Sequence, residues 1–425
     1  MTRRAALLIG AAAILPRLAT LLHERGDILA AYRDKSDDFA QTFLGSGTFG
    51  FVPGVPSAYT QPLYGYFLIP IYWIADRHWL AVGLVQIAVA AATAWLVYLI
   101  GRRVLSERAA LVAALLTTLH PYVIWHDVHL NREILDGFLA AAIVLASLVC
   151  AQRPTPLNAL VVGAALGLGI LANARLALLP LVVCAWLAFR LDGPRRRLLT
   201  ALAVLLAAAV VVSPWVIRNR VSVGCFALTT DSRALWKANN LNTYDTLARG
   251  GWIDDVPPLP GSPPSPQDAG AIYRETGRVV RVDECAQMDL YQDEVVDFWR
   301  EHPGEKGRLA AQAAGILWQP DVLETQGRQG AGTWLDPIRT VVEPAFMIAL
   351  YLAALVGLWT LPRSFLALAL SLLAYQSVVA MIFAGATRYR VPWDFLVALM
   401  AAAGLETTLV RARASRQRRA SPQPG

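Results

Sequence analysis

The stretch "WLAVGLVQIAVAAATAWLVYLI" (residues 79–100) contains no charged side chain. A helix of this length rises about 1.5 Å per residue and crosses the ~30 Å hydrocarbon core of a bilayer. The arginine-rich stretch "GRRVLSER" (101–108) follows it directly, which is typical of the cytoplasmic end of a membrane span. Together the two stretches predict a membrane-spanning helix whose carboxyl end faces the cytoplasm.

The overall composition also indicates a membrane protein. Of 425 residues, 56% are apolar and 16% are charged, and the mean hydropathy is +0.44, whereas a soluble domain carries about 25% charged residues. The net charge of +7 does not indicate a nucleic-acid partner, because the basic residues lie in short links between apolar runs. We therefore expect an all-α polytopic protein that resides in the lipid bilayer.

About ten apolar runs approach the ~20 residues that a bilayer core requires. The first is expected to remain as an uncleaved span, because no small-residue cleavage site precedes the polar segment after it. An aromatic segment within 57–79 is predicted to form an interfacial or re-entrant helix. The short runs 157–172 and 176–190 fit either two spans or one re-entrant hairpin. The predicted spans are 5–22, 79–100, 107–125, 131–150, 157–172, 176–190, 198–215, 344–361, 364–383 and 390–409.

The links rich in arginine and lysine all fall on one side of this arrangement, so the positive-inside rule predicts that both termini are cytoplasmic. The opposite side receives the acidic and aromatic links, and the chemistry is therefore expected on the extracytoplasmic face of the cell membrane. These links are 23–78, 125–131, 173–175, 216–343 and 386–390.

This topology divides the chain into four regions. They are an N-terminal transmembrane module 1–215 with the first outer loop 23–78, an extracytoplasmic region 216–343 with amphipathic helices at about 274–299 and 305–318, C-terminal spans in 344–410, and a disordered basic tail 411–425. Cys225 and Cys285 lie in the extracytoplasmic region, where they can either pair or stay free. Cys150 and Cys184 lie in apolar runs and are expected to be packing residues.

The first outer loop contains "DKSDDFAQTFLGSGTFG" (34–50), with the adjacent acids Asp37 and Asp38. A partly desolvated carboxylate at the membrane surface has its pKa raised, which suits a general base. Both acids also fit a solvated loop or the amino-terminal cap of a helix that begins near them. The residues alone leave these interpretations open.

A second polar group lies in "HPYVIWHDVHLNREILDGF" (120–138). Arg132 is a candidate for binding a phosphate, and Glu133 for orienting a substrate. His126 and His129 share a helical face, but they have no third clear metal ligand. The plainer interpretation is a set of polar residues at a helix end in the headgroup region.

Two arginine pairs, in "SPWVIRNRVSVGCFALTTDSRALWKANN" (213–240) and "GATRYRVPWDF" (385–395), lie on the predicted outer side. Because this placement opposes the positive-inside trend, binding of a lipid phosphate is one explanation. Anchoring of helix ends by long arginine side chains is the other. The sequence contains no P-loop, dinucleotide-binding or Gly-x-Ser-x-Gly motif, so a soluble nucleotide donor is not expected.

In this order, the motifs resemble those of the C-type (GT-C) membrane glycosyltransferases. Within that class the chain is similar to the dolichyl-phosphate-mannose–protein mannosyltransferase and aminoarabinose transferase group, which is like glycosyltransferase family 39. Besides the stretches quoted above, the resemblance rests on "SAYTQPLYGYFL" (57–68), "VVDFWREHPGEKGRLAAQAAGILWQP" (295–320) and "ATRYRVP" (386–392).

The resemblance implies an inverting transfer of a sugar from a polyprenyl-phosphate donor to an extracytoplasmic glycolipid, polysaccharide or protein. It implies that Asp37 is the general base, with Asp38 as the second choice, and that Glu133 orients the acceptor or the base. The substrate-binding candidates are Tyr59, Tyr64, Arg132, Arg218, Asn219, Lys237, Asn240, Arg388, Tyr389 and Arg390.

Two features depart from the family pattern. The pair "DD" replaces a common Asp-Glu pair, and the outer region is too small for a large acceptor-binding domain. No metal ligand is assigned, and a divalent cation is the one cofactor left open. A transporter or flippase of a polyprenol-linked or lipid substrate is the alternative function, although such proteins usually show charges along their spans and repeated halves.

Overall fold

The computed structural model describes residues 3–31, 33–320 and 335–420, and these residues form helices without any β-strand. Short 3₁₀ helices lie at Ala174–Leu176, Ile253–Asp255 and Val391–Trp393. The α-helices are α1 (Arg3–His23), α2 (Ser36–Ser46), α3 (Pro62–Ala75), α4 (Trp79–Val104), α5 (Glu107–Thr118), α6 (Pro121–His126), α7 (Glu133–Gln152), α8 (Pro156–Ala172), α9 (Leu179–Arg190), α10 (Pro194–Ser222), α11 (Ser232–Lys237), α12 (Thr243–Ala248), α13 (Pro266–Thr276), α14 (Glu284–Glu301), α15 (Pro303–Trp318), α16 (Leu335–Gly357), α17 (Arg363–Ile382), α18 (Thr387–Arg390) and α19 (Asp394–Ala420).

Seven helical segments are long and apolar enough to cross a membrane, and they correspond to seven of the predicted spans. They are Arg3–His23, Trp79–Val104, Glu133–Gln152, Pro194–Ser222, Thr340–Gly357, Arg363–Ile382 and Thr387–Ala412. The prediction of an all-α polytopic membrane protein is confirmed. The count of ten spans and their orientation stay predictions.

The other three predicted spans are shorter helices. The run 107–125 is divided into α5 and α6, because Pro121 disfavours a helical backbone at His120, which has ψ 120°. Helix α8 has 17 residues and α9 has 12. The predicted interfacial segment forms the 14-residue α3, and its Trp73 and Ile74 are exposed.

Small residues allow the long helices to pack closely. A Cβ atom on Gly163 of α8 would lie 2.3 Å from the carbonyl oxygen of Val204 in α10. A Cβ on Gly357 of α16 would lie 1.8 Å from the carbonyl oxygen of Met400 in α19. Such close backbone approach is the usual basis of helix association in membranes.

Helices α11 to α15 form the region between the two groups of long helices. The Cys225–Cys285 disulfide joins the end of α10 to the start of α14. The predicted amphipathic helix 274–299 is instead two helices, because Gly277 adopts a φ of +69° and ends α13. Helix α19 continues to Ala420, so the predicted tail is helical as far as it is described. Residues 321–334 of the predicted outer region and 421–425 of the tail lie outside the described part of the chain.

Candidate active site

The ends of several helices meet at one end of the bundle. The backbone N–H of Asp34 donates to the carbonyl oxygen of Leu130 at 2.9 Å, which joins the first loop to the link before α7. Asn173, after α8, donates from Nδ2 to Oδ2 of Asp136 in α7 at 3.0 Å. The contacts therefore bring together stretches that are predicted from the sequence to lie on one side of the membrane.

Charged and aromatic side chains gather at this meeting point and are called the acid–arginine cluster below. Arg132 interacts electrostatically with Asp34, Glu133, Asp136 and Arg388. The members of the cluster are Asp34, Arg132, Glu133, Asp136, Arg175, Arg388 and Tyr389.

The remaining contacts fix the geometry of the cluster. Arg388 Nε lies 2.9 Å from Glu133 Oε1. The guanidinium carbon of Arg175 lies 3.6 Å from the ring centre of Tyr389, and that of Arg388 lies 5.2 Å from the same ring. Arg132 donates to Gln61, which ties the cluster to the start of α3. Three guanidinium groups thus surround one tyrosine and compensate the neighbouring carboxylates.

Several buried polar atoms of the cluster have no hydrogen-bond partner among the described residues. They are Arg132 Nε, Glu133 Oε2 and Asp136 Oδ1. Leaving such an atom unsatisfied costs about 1–3 kcal/mol, so a concentration of them is unusual in a purely structural core. A polar ligand with both donor and acceptor groups would satisfy them.

Of the residues predicted from sequence, Arg132, Glu133, Arg388 and Tyr389 lie in this cluster. Arg175 lies there as well, and the sequence analysis did not select it. The sequence does contain an indication of Arg175, because it is a charged residue between two short apolar runs. Charges in such positions usually serve a function.

Asp37 has an environment that differs from the one expected for a base. Its side chain is fully buried. Oδ1 accepts hydrogen bonds from Tyr72 Oη at 2.7 Å and Arg77 Nε at 2.9 Å. Oδ2 accepts from Arg77 Nη2 at 2.7 Å and Arg33 Nη1 at 3.1 Å. Both oxygens are occupied, so Asp37 anchors α2 to α3 and the loop that follows α3.

Asp38 points to a different part of the molecule. Its Oδ2 lies 3.2 Å from Arg274 Nη1 in α13, and its Oδ1 lies 3.8 Å from Arg33 Nη1. Burial raises the pKa of the Asp38 carboxyl above its usual range. This acid therefore joins α2 to the outer region, away from the acid–arginine cluster.

Asp34 is the acid of the first loop that approaches the cluster, and it is not among the residues predicted from sequence. It lies three residues before Asp37 in the same quoted stretch. Within the described residues its side chain accepts a hydrogen bond only at Oδ1, from the backbone N–H of Ser36 at 2.9 Å. The adjacent Lys35 fixes the segment through an ion pair with Asp231 at 2.6 Å.

Arg218 and Asn219, both predicted to bind substrate, hold the backbone of neighbouring loops. Arg218 donates to the carbonyl oxygens of Ser57 at 2.8 Å and Phe49 at 2.9 Å. Asn219 donates from Nδ2 to the carbonyl oxygen of Ala227 at 2.8 Å. Arg218 therefore joins α10 to the first loop, and Asn219 joins it to the link that follows α10, both outside the acid–arginine cluster.

Of the three predicted tyrosines, Tyr59 and Tyr64 make contacts outside the cluster. Tyr59 lies under Lys35, whose Nζ is 4.6 Å from the ring centre. Tyr64 is buried and donates from Oη to Gln86 Oε1 at 2.6 Å.

The last three predicted residues have structural contacts as well. Lys237 donates from Nζ to the carbonyl oxygen of Asp254 at 2.6 Å. Asn240 donates from Nδ2 to the carbonyl oxygen of Trp236 at 3.0 Å. Arg390 is buried and contacts Asp394 at 3.1 Å.

The acid–arginine cluster does not fit a divalent cation. The described residues include no group of three or more His, Cys, Asp or Glu side chains arranged to hold a metal ion. The carboxylates of the cluster are compensated by Arg132, Arg175 and Arg388, which would repel a cation. No step is therefore assigned to a metal.

Residues 56–217 match the family model described as dolichyl-phosphate-mannose-protein mannosyltransferase. The match begins in the first outer loop and ends in α10, so it includes Arg132, Glu133, Asp136 and Arg175. No curated protein sequence matches the chain.

Solved structures extend the similarity to the whole chain. The archaeal oligosaccharyltransferase AglB from Archaeoglobus fulgidus, in complex with an inhibitory peptide and a dolichol-phosphate, has a TM-score of 0.54 at 12% identity over 99% of this chain and 52% of that chain. The Archaeoglobus fulgidus oligosaccharyltransferase tethered to an acceptor peptide has a TM-score of 0.55 at 14% identity, over 98% and 51%. The present chain spans about half the length of these proteins.

ArnT from Cupriavidus metallidurans, bound to undecaprenyl phosphate, gives a TM-score of 0.42 at 15% identity over 100% of this chain and 82% of that chain. This score is too low to indicate a shared fold by itself. The resemblance predicted from the motifs is nevertheless confirmed by the segment match and by the oligosaccharyltransferase structures. This chain thus has the fold of the C-type membrane glycosyltransferases, with residues 56–217 similar to the dolichyl-phosphate-mannose–protein mannosyltransferases.

Proposed function

We propose that this chain transfers a sugar from a polyprenyl-phosphate donor to an acceptor outside the cytoplasm, with inversion at the anomeric carbon. The observation that carries the proposal is the acid–arginine cluster, in which three guanidinium groups and the half-buried Asp34 lie at one end of the helix bundle. The glycosyltransferase fold and the matched segment support the same reaction class.

Arg132, Arg175 and Arg388 are proposed to bind the phosphate of the donor. Guanidinium groups bind phosphate oxygens through paired hydrogen bonds, and they stabilise the charge that develops as the phosphate leaves. The oligosaccharyltransferase with the same fold was solved with a dolichol-phosphate, which is consistent with a lipid phosphate as the ligand here.

We propose Asp34 as the general base, in place of Asp37 or Asp38. Asp34 would take the proton of the acceptor hydroxyl or amine while the acceptor atom bonds to the anomeric carbon. The bond from that carbon to the phosphate oxygen breaks, and the polyprenyl phosphate leaves with the electron pair. Glu133 holds Arg388 in place and thereby orients the phosphate site.

The predicted orientation puts this site on the extracytoplasmic face of the cell membrane. The Cys225–Cys285 disulfide supports that orientation, because disulfides persist in oxidising compartments. A glycolipid, a polysaccharide or a protein is proposed as the acceptor. Neither the matched segment nor the fold supports the alternative of a transporter or flippase.

The test is transfer of a radiolabelled sugar from polyprenyl-phosphate donors to membrane lipids and proteins by the purified full-length chain. We expect Asp34→Asn to lower kcat by about 10²–10⁴-fold, the usual contribution of a general base. Asp38→Asn is the matched control and is expected to keep a rate near wild type. Normal transfer by Asp34→Asn would refute the base assignment, and movement of labelled donor across liposomes without transfer would favour a transporter.

A further inference from the structure

Gln86 is the most buried polar side chain in the uncharged stretch 79–100 of α4, with no exposed surface. Its Nε2 donates to the carbonyl oxygens of Asp127 at 2.6 Å and His129 at 2.8 Å. Its Oε1 accepts from Tyr64 Oη at 2.6 Å. The amide therefore bonds to two other parts of the chain from within a predicted membrane span.

A buried amide is expensive in a membrane unless it is fully paired, so a residue of this kind usually has a function. The two carbonyl groups that Gln86 binds belong to the irregular link 127–132 between α6 and α7. Backbone groups without a helical partner need other donors at this depth. Arg17 holds the same link from α1, by donating to Asp127 Oδ2 at 2.8 Å.

This link leads directly into the acid–arginine cluster. The residue after His129 is Leu130, whose carbonyl oxygen accepts the hydrogen bond from the backbone N–H of Asp34. Arg132 and Glu133 follow within three residues. A shift of the link would therefore displace the proposed base Asp34.

We infer that Gln86 is a positioning residue for the transfer reaction, acting through the 127–132 link on Asp34. This inference rests on the proposed function. The groups that Gln86 bonds to among the described residues lie outside the acid–arginine cluster, so its removal should alter the geometry of the reacting groups more than the affinity for the donor.

Gln86→Leu removes all three hydrogen bonds and replaces the amide with an apolar side chain of similar size. Gln376→Leu is the matched control, because Gln376 is also buried in a long helix and its Nε2 has no hydrogen-bond partner among the described residues. We expect Gln86→Leu to lower kcat by about 10²-fold, the effect of a displacement near 1 Å. The donor KM should stay close to that of Gln376→Leu, whereas the melting temperature should fall, because three buried polar groups lose a hydrogen-bond partner.

The double variant Gln86→Leu/Asp34→Asn separates positioning from general damage. If Gln86 acts through Asp34, the double variant should transfer no more slowly than Asp34→Asn alone. A wild-type kcat for Gln86→Leu would overturn the inference, as would a loss of donor affinity as large as the loss of kcat. Failure of the proposed function is distinct, because the wild-type chain would then transfer no sugar.

Discussion

Asp34 and Asp37 lie three residues apart, yet their surroundings differ. Asp37 is enclosed by Tyr72, Arg77 and Arg33, which occupy both carboxylate oxygens. Asp34 remains half-buried, and its backbone is fixed to Leu130. The contacts of Asp37 therefore suit an anchor, and those of Asp34 are consistent with the base that we propose.

Asp37→Asn is expected to lower stability because it leaves Arg77 without a compensating charge and Arg33 with only its 3.8 Å contact to Asp38. The free energy of unfolding should fall by about 2 kcal/mol, less than for a fully buried pair since both arginines are partly exposed. Thermal unfolding in detergent measures this change, with Asp38→Asn as the control. An equal melting temperature for the two variants would contradict the anchoring role.

Arg388→Lys is expected to weaken the proposed phosphate site. Lysine keeps the charge but lacks the planar guanidinium group, which in the proposed site bonds to both Glu133 and the donor phosphate. The kcat/KM for the donor should therefore fall by about tenfold. Arg300→Lys, at an exposed position of α14, is the control and should leave kcat/KM unchanged. Wild-type kinetics for Arg388→Lys would exclude this arginine from donor binding.

At the scale of elements, the amine of Lys306 in α15 binds the end of α17. Lys306 Nζ donates to the carbonyl oxygen of Met381 at 2.7 Å and to Asn239 Oδ1 at 2.6 Å. The carbonyl groups at the end of a helix have no partner within the helix, so this lysine supplies one. The contact connects the region of α11 to α15 with the C-terminal helices.

Burial lowers the pKa of Lys306 to about 8, from a usual value of 10.5. Between these values the unfolded chain binds more protons than the folded one, so the contribution of Lys306 to stability increases as pH rises from about 8 to 10.5. Lys306→Gln should remove this part of the pH dependence. Melting temperatures of the wild type and of Lys306→Gln, measured from pH 7 to pH 10, test this expectation. Parallel curves for the two proteins would contradict a contribution of Lys306 to the pH dependence.

At the scale of the whole molecule, hydropathy was sufficient to predict the helical membrane fold. Residues 79–100 and 198–215 needed only length and lack of charge to be recognised as spans. The interruption at Pro121 was not anticipated in the run 107–125, because apolar composition does not report where a helix breaks.

The candidate site was predicted less completely than the fold. The linear sequence placed Arg132, Glu133 and Arg388 on one side, because helix ends alternate between the two faces of a bilayer. It does not distinguish the environments of Asp34 and Asp37, or show that Arg175 joins the cluster, since these depend on which side chains approach across distant helices. Arg218 and Arg390, which the sequence predicts to bind substrate, contact backbone oxygens or a neighbouring acid in the structure, and their role in binding stays a prediction.

The predicted topology can be tested on the complete protein with single cysteines at exposed positions. Ser46→Cys in α2 should react with a membrane-impermeant maleimide in intact cells, whereas Arg108→Cys at the start of α5 should react only after permeabilisation. Equal labelling of the two positions before permeabilisation would contradict the orientation. Transfer activity of each variant provides the control for correct insertion.

The Cys225–Cys285 disulfide also bears on biogenesis. It closes a long segment between α10 and α14, and one of its cysteines adjoins Glu284, which accepts hydrogen bonds from Ala58 and Thr230. With the proposed orientation, maturation of this segment would depend on the thiol-oxidising enzymes of the cell envelope. Cells that lack those oxidants would then accumulate a reduced, protease-sensitive precursor even when insertion into the membrane is normal.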